Sequence, residues 1–392
     1  MANSRAQSPR AQVLLMRIAL HYWREVLLSI TSLIGVLGIA EISLLLLAPQ
    51  PTLRRIQENA PAMFRESEVL PFALRPNYQG RFRRSEFDVD IKINANGYRG
   101  QDFDLDKGTR HRILILGDSF TFGHGVGESE PYAARLQDLL AKKGRERLSE
   151  VINAGFASGY SPDTYYLFCR LYCGALKPDV VLIGFFVGND IDGYPENKLA
   201  ESDSAGLPRR IVNTESHVDA KGYFVSRNTP LGYSIPILRQ SHLFHLVGGA
   251  LRRLREPSRR PLAIYAPGYS EDTRSAIRKT ERLLLEIKHL LDREGIPLRI
   301  VLIPTFEQVY PERYPFTRDV DLDKPQRIFS TFLRESGMGY FDLLPSMRSA
   351  MDKGLYFPVD QHWTRHGHEF AAREIAKYLE VQQVVPGVRT SR

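Results

Sequence analysis

Five short runs of apolar residues recur along the chain, and amphipathic segments separate most of them. A strand buried on both faces of a parallel sheet is continuously apolar, and an amphipathic segment between two such strands is typical of a crossover helix. The pattern therefore predicts an α/β fold, with a parallel sheet covered by helices on both faces. The predicted strands are Ile113–Leu116, Val151–Asn153, Val180–Phe185, Leu298–Ile303 and Tyr340–Leu343, and helices are predicted over Pro131–Lys142, from Ser161 onward and from Ser270 to Glu294.

Two segments depart from this alternation. Residues 87–93 alternate between apolar and polar side chains, which predicts a half-exposed strand ending in a turn at Asn94–Gly97. Residues 191–268 contain many Gly, Pro and Arg residues and show no sustained period. We expect this second segment to be an insertion over the carboxyl edge of the sheet, acting as a lid or binding loop, with partial disorder as the alternative.

A long apolar run, Val26–Leu47, precedes all of these elements and contains one charged residue, Glu41. Crossing the hydrocarbon core takes about 20 residues, so the run predicts a transmembrane helix. It is longer than the apolar region of a signal peptide, and no small-x-small cleavage site follows it, so an uncleaved anchor is favoured. Protonation, snorkelling or a partner helix would reduce the cost of Glu41.

Four arginines precede the apolar run, so the positive-inside tendency places the first residues in the cytoplasm and the rest of the chain outside it. The chain is then a single-pass membrane protein that contacts inner-membrane lipid through its anchor. The predicted organisation is a basic N-terminus over 1–25, the anchor over 26–48, a connecting segment with a strand over 49–110, and a catalytic domain over 111–385 that contains the 191–268 insertion.

Composition excludes some classes of protein. The 392 residues are 43% hydrophobic, which is unlike a disordered chain. The net charge of +8 is densest at Arg252–Arg260, but this run lacks the aromatic residues that stack on bases, so we expect no nucleic acid. A solvated face is favoured, and contact with anionic lipid or an acidic polymer is the alternative. Cys169 and Cys173 lie four residues apart in one predicted helix, where buried thiols are favoured over a disulfide.

The first predicted strand leads directly into Gly117-Asp118-Ser119. Open α/β sheets carry their chemistry at the carboxyl ends of the strands, so Ser119 is a candidate nucleophile. The alternative is that Asp118 or Ser119 caps the next helix. A serine nucleophile needs a base and a group that orients the base, and Asp360 and His362 can supply both, because positions i and i+2 of an extended chain project to the same side.

Two further turns follow predicted strands and can supply oxyanion donors. Asn153–Ser161 is rich in glycine, which lets a backbone N–H approach a substrate, and Val187–Asp190 offers the amide of Asn189. For each turn taken alone, turn chemistry is the favoured explanation. Three histidines lie within 362–368, but their spacing matches no zinc motif, so we expect no metal site.

Taken in order, these blocks resemble the SGNH hydrolases of the GDSL esterase superfamily. The resemblance implies a flavodoxin-like, three-layer α/β/α fold with a five-stranded parallel sheet. It also implies Ser119 as nucleophile, His362 as base and Asp360 as the group that orients it. The oxyanion hole would be formed by the N–H of Ser119, the N–H of Gly159 with Gly155 in reserve, and the side chain of Asn189. The candidates for substrate binding are Asp118, Thr121, Asp190 and Trp363.

One residue, Gln361, separates Asp360 from His362, and Trp363 follows. This Asp-x-His-Trp block resembles the alginate O-acetyltransferase branch of the superfamily, and Asn94–Gly100 resembles membrane-anchored bacterial members. We expect an extracytoplasmic serine esterase without a cofactor, which removes an acyl group, preferably acetyl, from a carbohydrate or lipid. The alternatives are a polysaccharide O-acetyltransferase with the same triad and a non-catalytic carbohydrate-binding scaffold.

Overall fold

The computed structural model describes residues 9–50, 60–141, 149–157, 160–191, 200–211, 216–226, 235–255, 263–313 and 319–384. Two compact units share these residues, and each is formed from two separate stretches of chain. The first comprises Met1–Ile56 and Thr229–Arg259, and the second comprises Gln57–Asn228 and Arg260–Arg392. The predicted 191–268 insertion is therefore divided between the two units.

A five-stranded parallel sheet forms the centre of the second unit, in the order β13-β12-β7-β5-β6. The middle three strands are buried along almost their whole length, which explains their continuously apolar sequence. All five predicted strands are present, and the α/β fold class is confirmed. The strands are β5 (His111–Gly117), β6 (Ser149–Gly155), β7 (Val180–Phe186), β12 (Leu298–Ile303) and β13 (Gly339–Asp342).

Helices cover both faces of this sheet and bury one apolar core on each side. One core contains alternate side chains of the strands together with α4, α7 and α9, and the other contains the intervening side chains together with α3, α10 and α11. The three predicted helices are present. The helices of the second unit are α2 (Ser119–Phe122), α3 (Tyr132–Leu140), α4 (Pro162–Leu176), α7 (Glu271–Arg293), α8 (Phe306–Val309), α9 (Lys324–Glu335), α10 (Leu344–Ser349) and α11 (Arg365–Val381).

Among the described residues, four short antiparallel strand pairs accompany the sheet. The pair β3–β4 contains the predicted half-exposed strand, and Gly97 closes the turn that follows it by donating to the carbonyl of Asn94 at 3.1 Å. Two of the pairs come from the predicted insertion. The pairs are β1 (Phe64–Arg65) with β2 (Ala73–Leu74), β3 (Gln79–Arg83) with β4 (Asp88–Lys92), β8 (Ala200–Ser202) with β9 (Pro208–Ile211), and β10 (Ser216–Val218) with β11 (Phe224–Ser226).

The first unit contains three described helices: α1 (Pro9–Leu47), α5 (Pro236–Gln240) and α6 (His242–Arg255). The stretch Met16–Leu47 of α1 is long and apolar enough to cross a membrane by length and composition. In α4 of the second unit, Cys169 and Cys173 are buried free thiols, as the sequence predicts.

Candidate active site

Ser119 begins α2, directly after the carboxyl end of β5. The Asp118 carboxylate accepts a hydrogen bond from the N–H of Phe120 at 2.9 Å and so caps this short helix. A Cβ at position 117 would lie 2.0 Å from the Thr121 hydroxyl, so only glycine fits before the turn. The two interpretations of the Gly-Asp-Ser motif are therefore compatible: Asp118 is the cap, and Ser119 lies at the end of the strand.

Ser119, His362 and Asp360 form a continuous hydrogen-bonded chain. The Ser119 Oγ lies 2.8 Å from His362 Nε2, and His362 Nδ1 lies 2.7 Å from Asp360 Oδ1. Ser119 is 6% exposed, and the His362 side chain is 23% exposed. This geometry allows the imidazole to remove the hydroxyl proton while the carboxylate stabilises the imidazolium that results.

The sequence predicts an extended backbone from Asp360 to His362, but the structure has a tight turn there. Gln361 has a φ of 69°, in the left-handed region. Its N–H donates to the carbonyl of Phe357 at 3.0 Å, and the N–H of Phe357 donates to the carbonyl of His362 at 2.9 Å. The carboxylate and the imidazole therefore meet across a tight turn, with an unfavourable backbone conformation at the single residue between them.

Two residues that the sequence analysis did not identify contact Asp360. The Glu86 carboxylate, in the turn between β3 and β4, accepts from the N–H groups of Val359 at 3.1 Å and Asp360 at 2.6 Å. His124 places its Nε2 3.5 Å from Asp360 Oδ2 and stacks on His362 with ring centroids 4.2 Å apart. Only the position of His124, five residues after Ser119, gave any signal in the sequence.

The charges of this cluster follow from its surroundings. Burial opposes ionisation of Asp360, but hydrogen bonds from His124 and His362 lower the pKa of its carboxyl below the usual range. Burial and the neighbouring His362 lower the pKa of His124 to about 4. At neutral pH, Asp360 is therefore an anion and His124 is a neutral imidazole that can donate to it.

Asn189, after β7, is joined to the Gly-Asp-Ser turn by one hydrogen bond. Its Nδ2 donates to Asp118 Oδ2 at 3.0 Å. Burial raises the pKa of Asp118 to about 6, and this donation partly opposes the rise. An ionised Asp118 accepts one amide hydrogen and so orients Asn189, which leaves the second hydrogen of Nδ2 available to an oxyanion.

The structure gives a different role to the reserve donor Gly155. Its N–H donates to the side chain of Asn153 at 3.0 Å, and a Cβ there would lie 2.4 Å from the backbone N of Phe122. Gly155 is thus a site of close packing between β6 and α2, and its N–H is already bonded. The preferred donor, Gly159, lies outside the described residues.

The other candidates for substrate binding are buried. The Thr121 hydroxyl bonds to that of Tyr132 at 2.8 Å, and Asp190 accepts from the N–H of Phe186 at 2.9 Å. Trp363 is fully buried in the core. Like Asp118, which is 1% exposed, these side chains support the site from beneath and do not meet a substrate as they stand.

The ligand atoms of His124, Asp360 and His362 lie within 4.8 Å of one another, which raises the question of a metal site. The two imidazole rings are stacked, with 27° between their planes. A metal ion lies close to the plane of each ring that binds it, and stacked rings do not meet that condition together. Farther along the chain, His368 is buried, and burial lowers its pKa to about 3.

Comparison with known proteins supports the resemblance described above. The family model of the SGNH hydrolase-like domain of acetyltransferase AlgX matches residues 267–391. This range contains Asp360 and His362 and excludes Ser119 and Asn189. The resemblance to the SGNH superfamily, and to its alginate O-acetyltransferase branch, is therefore confirmed, with the family match confined to the C-terminal third of the chain.

Two curated relatives match shorter stretches. The alginate biosynthesis protein AlgX of Pseudomonas syringae pv. tomato is 33% identical over 125 residues, which are 30% of this chain and 26% of AlgX. The probable alginate O-acetylase AlgJ of Pseudomonas aeruginosa is 32% identical over 95 residues, 24% of each protein. This chain thus spans about a quarter of the length of these relatives. Among solved structures, an acetyl xylan esterase aligns with 68% of this chain and 98% of its own, at 14% identity and a TM-score of 0.39.

Proposed function

We propose that this protein is an extracytoplasmic serine enzyme that moves an acetyl group through an acyl-Ser119 intermediate to a hydroxyl of a polysaccharide. The observation that carries the proposal is the hydrogen-bonded chain from Ser119 through His362 to Asp360. The matches to AlgX and AlgJ, over the part of the chain that contains Asp360 and His362, favour a carbohydrate hydroxyl as the acceptor.

The chemistry would proceed in two half-reactions. As the Ser119 oxygen attacks the carbonyl of the donor ester, its proton moves to His362 Nε2, and the tetrahedral oxyanion accepts from Asn189 Nδ2 and the N–H of Ser119. The intermediate collapses to acyl-Ser119, and His362 gives its proton to the departing alcohol. An acceptor hydroxyl then attacks the acyl-serine while His362 takes its proton, and collapse returns that proton to Ser119.

Ester hydrolysis, the main expectation from the sequence, is the second candidate. It differs only in the acceptor, which is water in place of a sugar hydroxyl. The partial exposure of His362 favours it, since water in contact with that ring can use the same base. The orientation of the anchor belongs to the proposal too: the four arginines that precede the apolar run Val26–Leu47 favour a catalytic unit outside the cytoplasm.

The test uses the full chain in nanodiscs, with p-nitrophenyl acetate as acyl donor and polysaccharide fragments as acceptors. We expect acetate on the sugar for a transferase and free acetate for a hydrolase, and loss of both in Ser119→Ala. Ser349→Ala is the matched control, because this exposed hydroxyl bonds only to the carbonyl of Ser346 among the described residues. Turnover that persists in Ser119→Ala would refute the assignment of the nucleophile.

A fluorophosphonate probe tests the non-catalytic alternative. An activated serine reacts with the probe, so we expect labelling of the parent protein and of Ser349→Ala, and none of Ser119→Ala. A folded parent protein that the probe leaves unlabelled would instead support a carbohydrate-binding scaffold.

A further inference from the structure

Glu41, the one charged residue of the apolar run in α1, accepts three hydrogen bonds from the start of α6. Its carboxylate receives the Ser241 hydroxyl at 2.8 Å and the N–H groups of His242 at 2.5 Å and Leu243 at 3.0 Å. The N–H of Gln50 donates to His242 Nδ1 at 2.8 Å. The first turn of α6 is therefore fixed at two points, to the distal part of α1 by Glu41 and to the chain just after α1 by Gln50.

The depth of Glu41 follows from the geometry of α1. Tyr22 and Trp23 are exposed aromatic side chains of the type that marks a membrane interface. A hydrocarbon core of about 30 Å takes about 20 helical residues, so a span that enters near Trp23 leaves the core at about residue 43. Glu41 then lies within one turn of the distal boundary, and the start of α6 lies at the same level.

The exposed side of α6 is apolar, and the segment before it also exposes an isoleucine. Leu246, Val247 and Leu251 are 38%, 48% and 50% exposed, and Ile237 in α5 is 80% exposed. Residues 235–255 contain no Asp or Glu, and the sequence of α6 ends with three arginines, at 252, 253 and 255. An apolar face on a basic helix is typical of helices that lie in the membrane interface, where they bury about 5 to 10 Å into the boundary between headgroups and acyl chains.

We propose that α5 and α6 form a second membrane-contacting element, which lies in the outer interface against α1. Glu41 fixes its start, the face containing Val247 contacts acyl chains, and the basic end of the sequence favours anionic headgroups. The same contacts explain why the apolar run contains an acidic residue. The Glu41 carboxylate accepts from the free N–H groups at the start of α6, at a depth where few waters are available to do so.

Quenching by lipid tests the exposed face. In full-length protein in nanodiscs, with Trp23→Phe as background, we place tryptophan at Val247 or, as control, at Leu105, which is 55% exposed in the second unit. The emission of the buried Trp363, recorded from Trp23→Phe alone, is subtracted from each variant. We expect lipids brominated on their acyl chains to quench Val247→Trp by at least half and Leu105→Trp by little, with acrylamide showing the reverse order. Quenching of Val247→Trp by acrylamide alone would overturn the proposal, as would protection from both quenchers, which would indicate a protein partner or a second copy.

Hydrogen exchange tests the fixing of α6 by Glu41. We expect Glu41→Leu to speed exchange of the first amides of α6 by tenfold or more, and Glu25→Leu, the same change elsewhere in α1, to leave it unaltered. Fluorophosphonate labelling of Ser119 reports whether each variant retains a folded second unit. Unchanged exchange in Glu41→Leu would show that the carboxylate does not hold α6 and would refute that part of the proposal.

Discussion

Replacing Asp118 by Asn should make the protein more stable and less active. The change removes a buried negative charge but preserves the shape of the side chain, and the remaining oxygen can still cap α2 through the N–H of Phe120. The new amide would, however, direct a donor at the Asn189 Nδ2, only 3.0 Å from the position now held by Oδ2. Two facing donors repel, so Asn189 is expected to rotate its amide and turn its oxygen toward residue 118.

The magnitudes follow from the pKa of Asp118, which burial raises from its ordinary value of 3.8 to about 6. Between these two values the folded state binds more protons than the unfolded state, so the free energy of unfolding falls as pH rises from about 4 to about 6 and stays low above that. At pH 7 the charge costs ~3 kcal/mol at most, at 1.36 kcal/mol per pKa unit. Asp118→Asn recovers up to this amount, and the gain disappears below about pH 4.

The activity of Asp118→Asn should decrease. Loss of an oriented oxyanion donor lowers kcat by about 10²-fold to 10³-fold. Thermal unfolding between pH 4 and pH 8 and turnover of p-nitrophenyl acetate measure the two effects. If the loss acts through Asn189, the double variant with Asn189→Ala should be no slower than Asn189→Ala alone. Equal stability of variant and parent at pH 8, or turnover within twofold of the parent, would refute the respective part of the reasoning.

Three further substitutions distinguish residues that position the catalytic groups from a residue that stabilises the fold. Glu86→Ala removes the acceptor for the N–H groups of Val359 and Asp360 and should lower kcat by on the order of 10-fold to 100-fold with Tm nearly unchanged, while Glu86→Gln restores part of the rate. His124→Phe retains the stacking on His362 but removes the contact with Asp360, so kcat should fall while KM stays constant; an unchanged kcat would contradict a positioning role. Arg112→Met leaves the half-buried Glu150 without its buried partner and should lower the free energy of unfolding by about 3 to 5 kcal/mol in urea titrations, whereas fluorophosphonate labelling of the folded protein should persist.

The sequence predicted the parts of the fold that repeat a local period. All five apolar runs became strands of the sheet, and the middle three were the clearest, because burial on both faces leaves no alternation to obscure them. The Gly-Asp-Ser turn and the Asp-x-His pair were also predictable, since each combines local turn chemistry with a reactive residue. The insertion was less so, because short strand pairs such as β8 with β9 have few residues from which a period can be read.

Long-range contacts account for what the sequence did not reveal. Glu86 acts on a loop 274 residues away, and nothing near it distinguishes its carboxylate from other exposed acids. The substrate-binding candidates Thr121, Asp190 and Trp363 are close in sequence to the reactive residues, but the fold buries their side chains. Proximity in sequence predicted which residues lie near the site, but it did not predict the direction in which each side chain points.

The hydrogen bonds between Glu41 and the start of α6 span about 200 residues of sequence, and this separation sets an order of events during synthesis. At a synthesis rate of about 5 to 20 residues per second, Ser241 is made about 10 to 40 s after Glu41. Under the proposed topology, α1 therefore enters the membrane while Glu41 still lacks these partners. Ten Leu, Ile and Val residues within 26–43, each favouring insertion by about 0.3 kcal/mol or more, offset a cost of about 3 kcal/mol for one acidic residue. Insertion of α1 can thus be completed first, and the Glu41 carboxylate accepts its hydrogen bonds from the start of α6 afterwards.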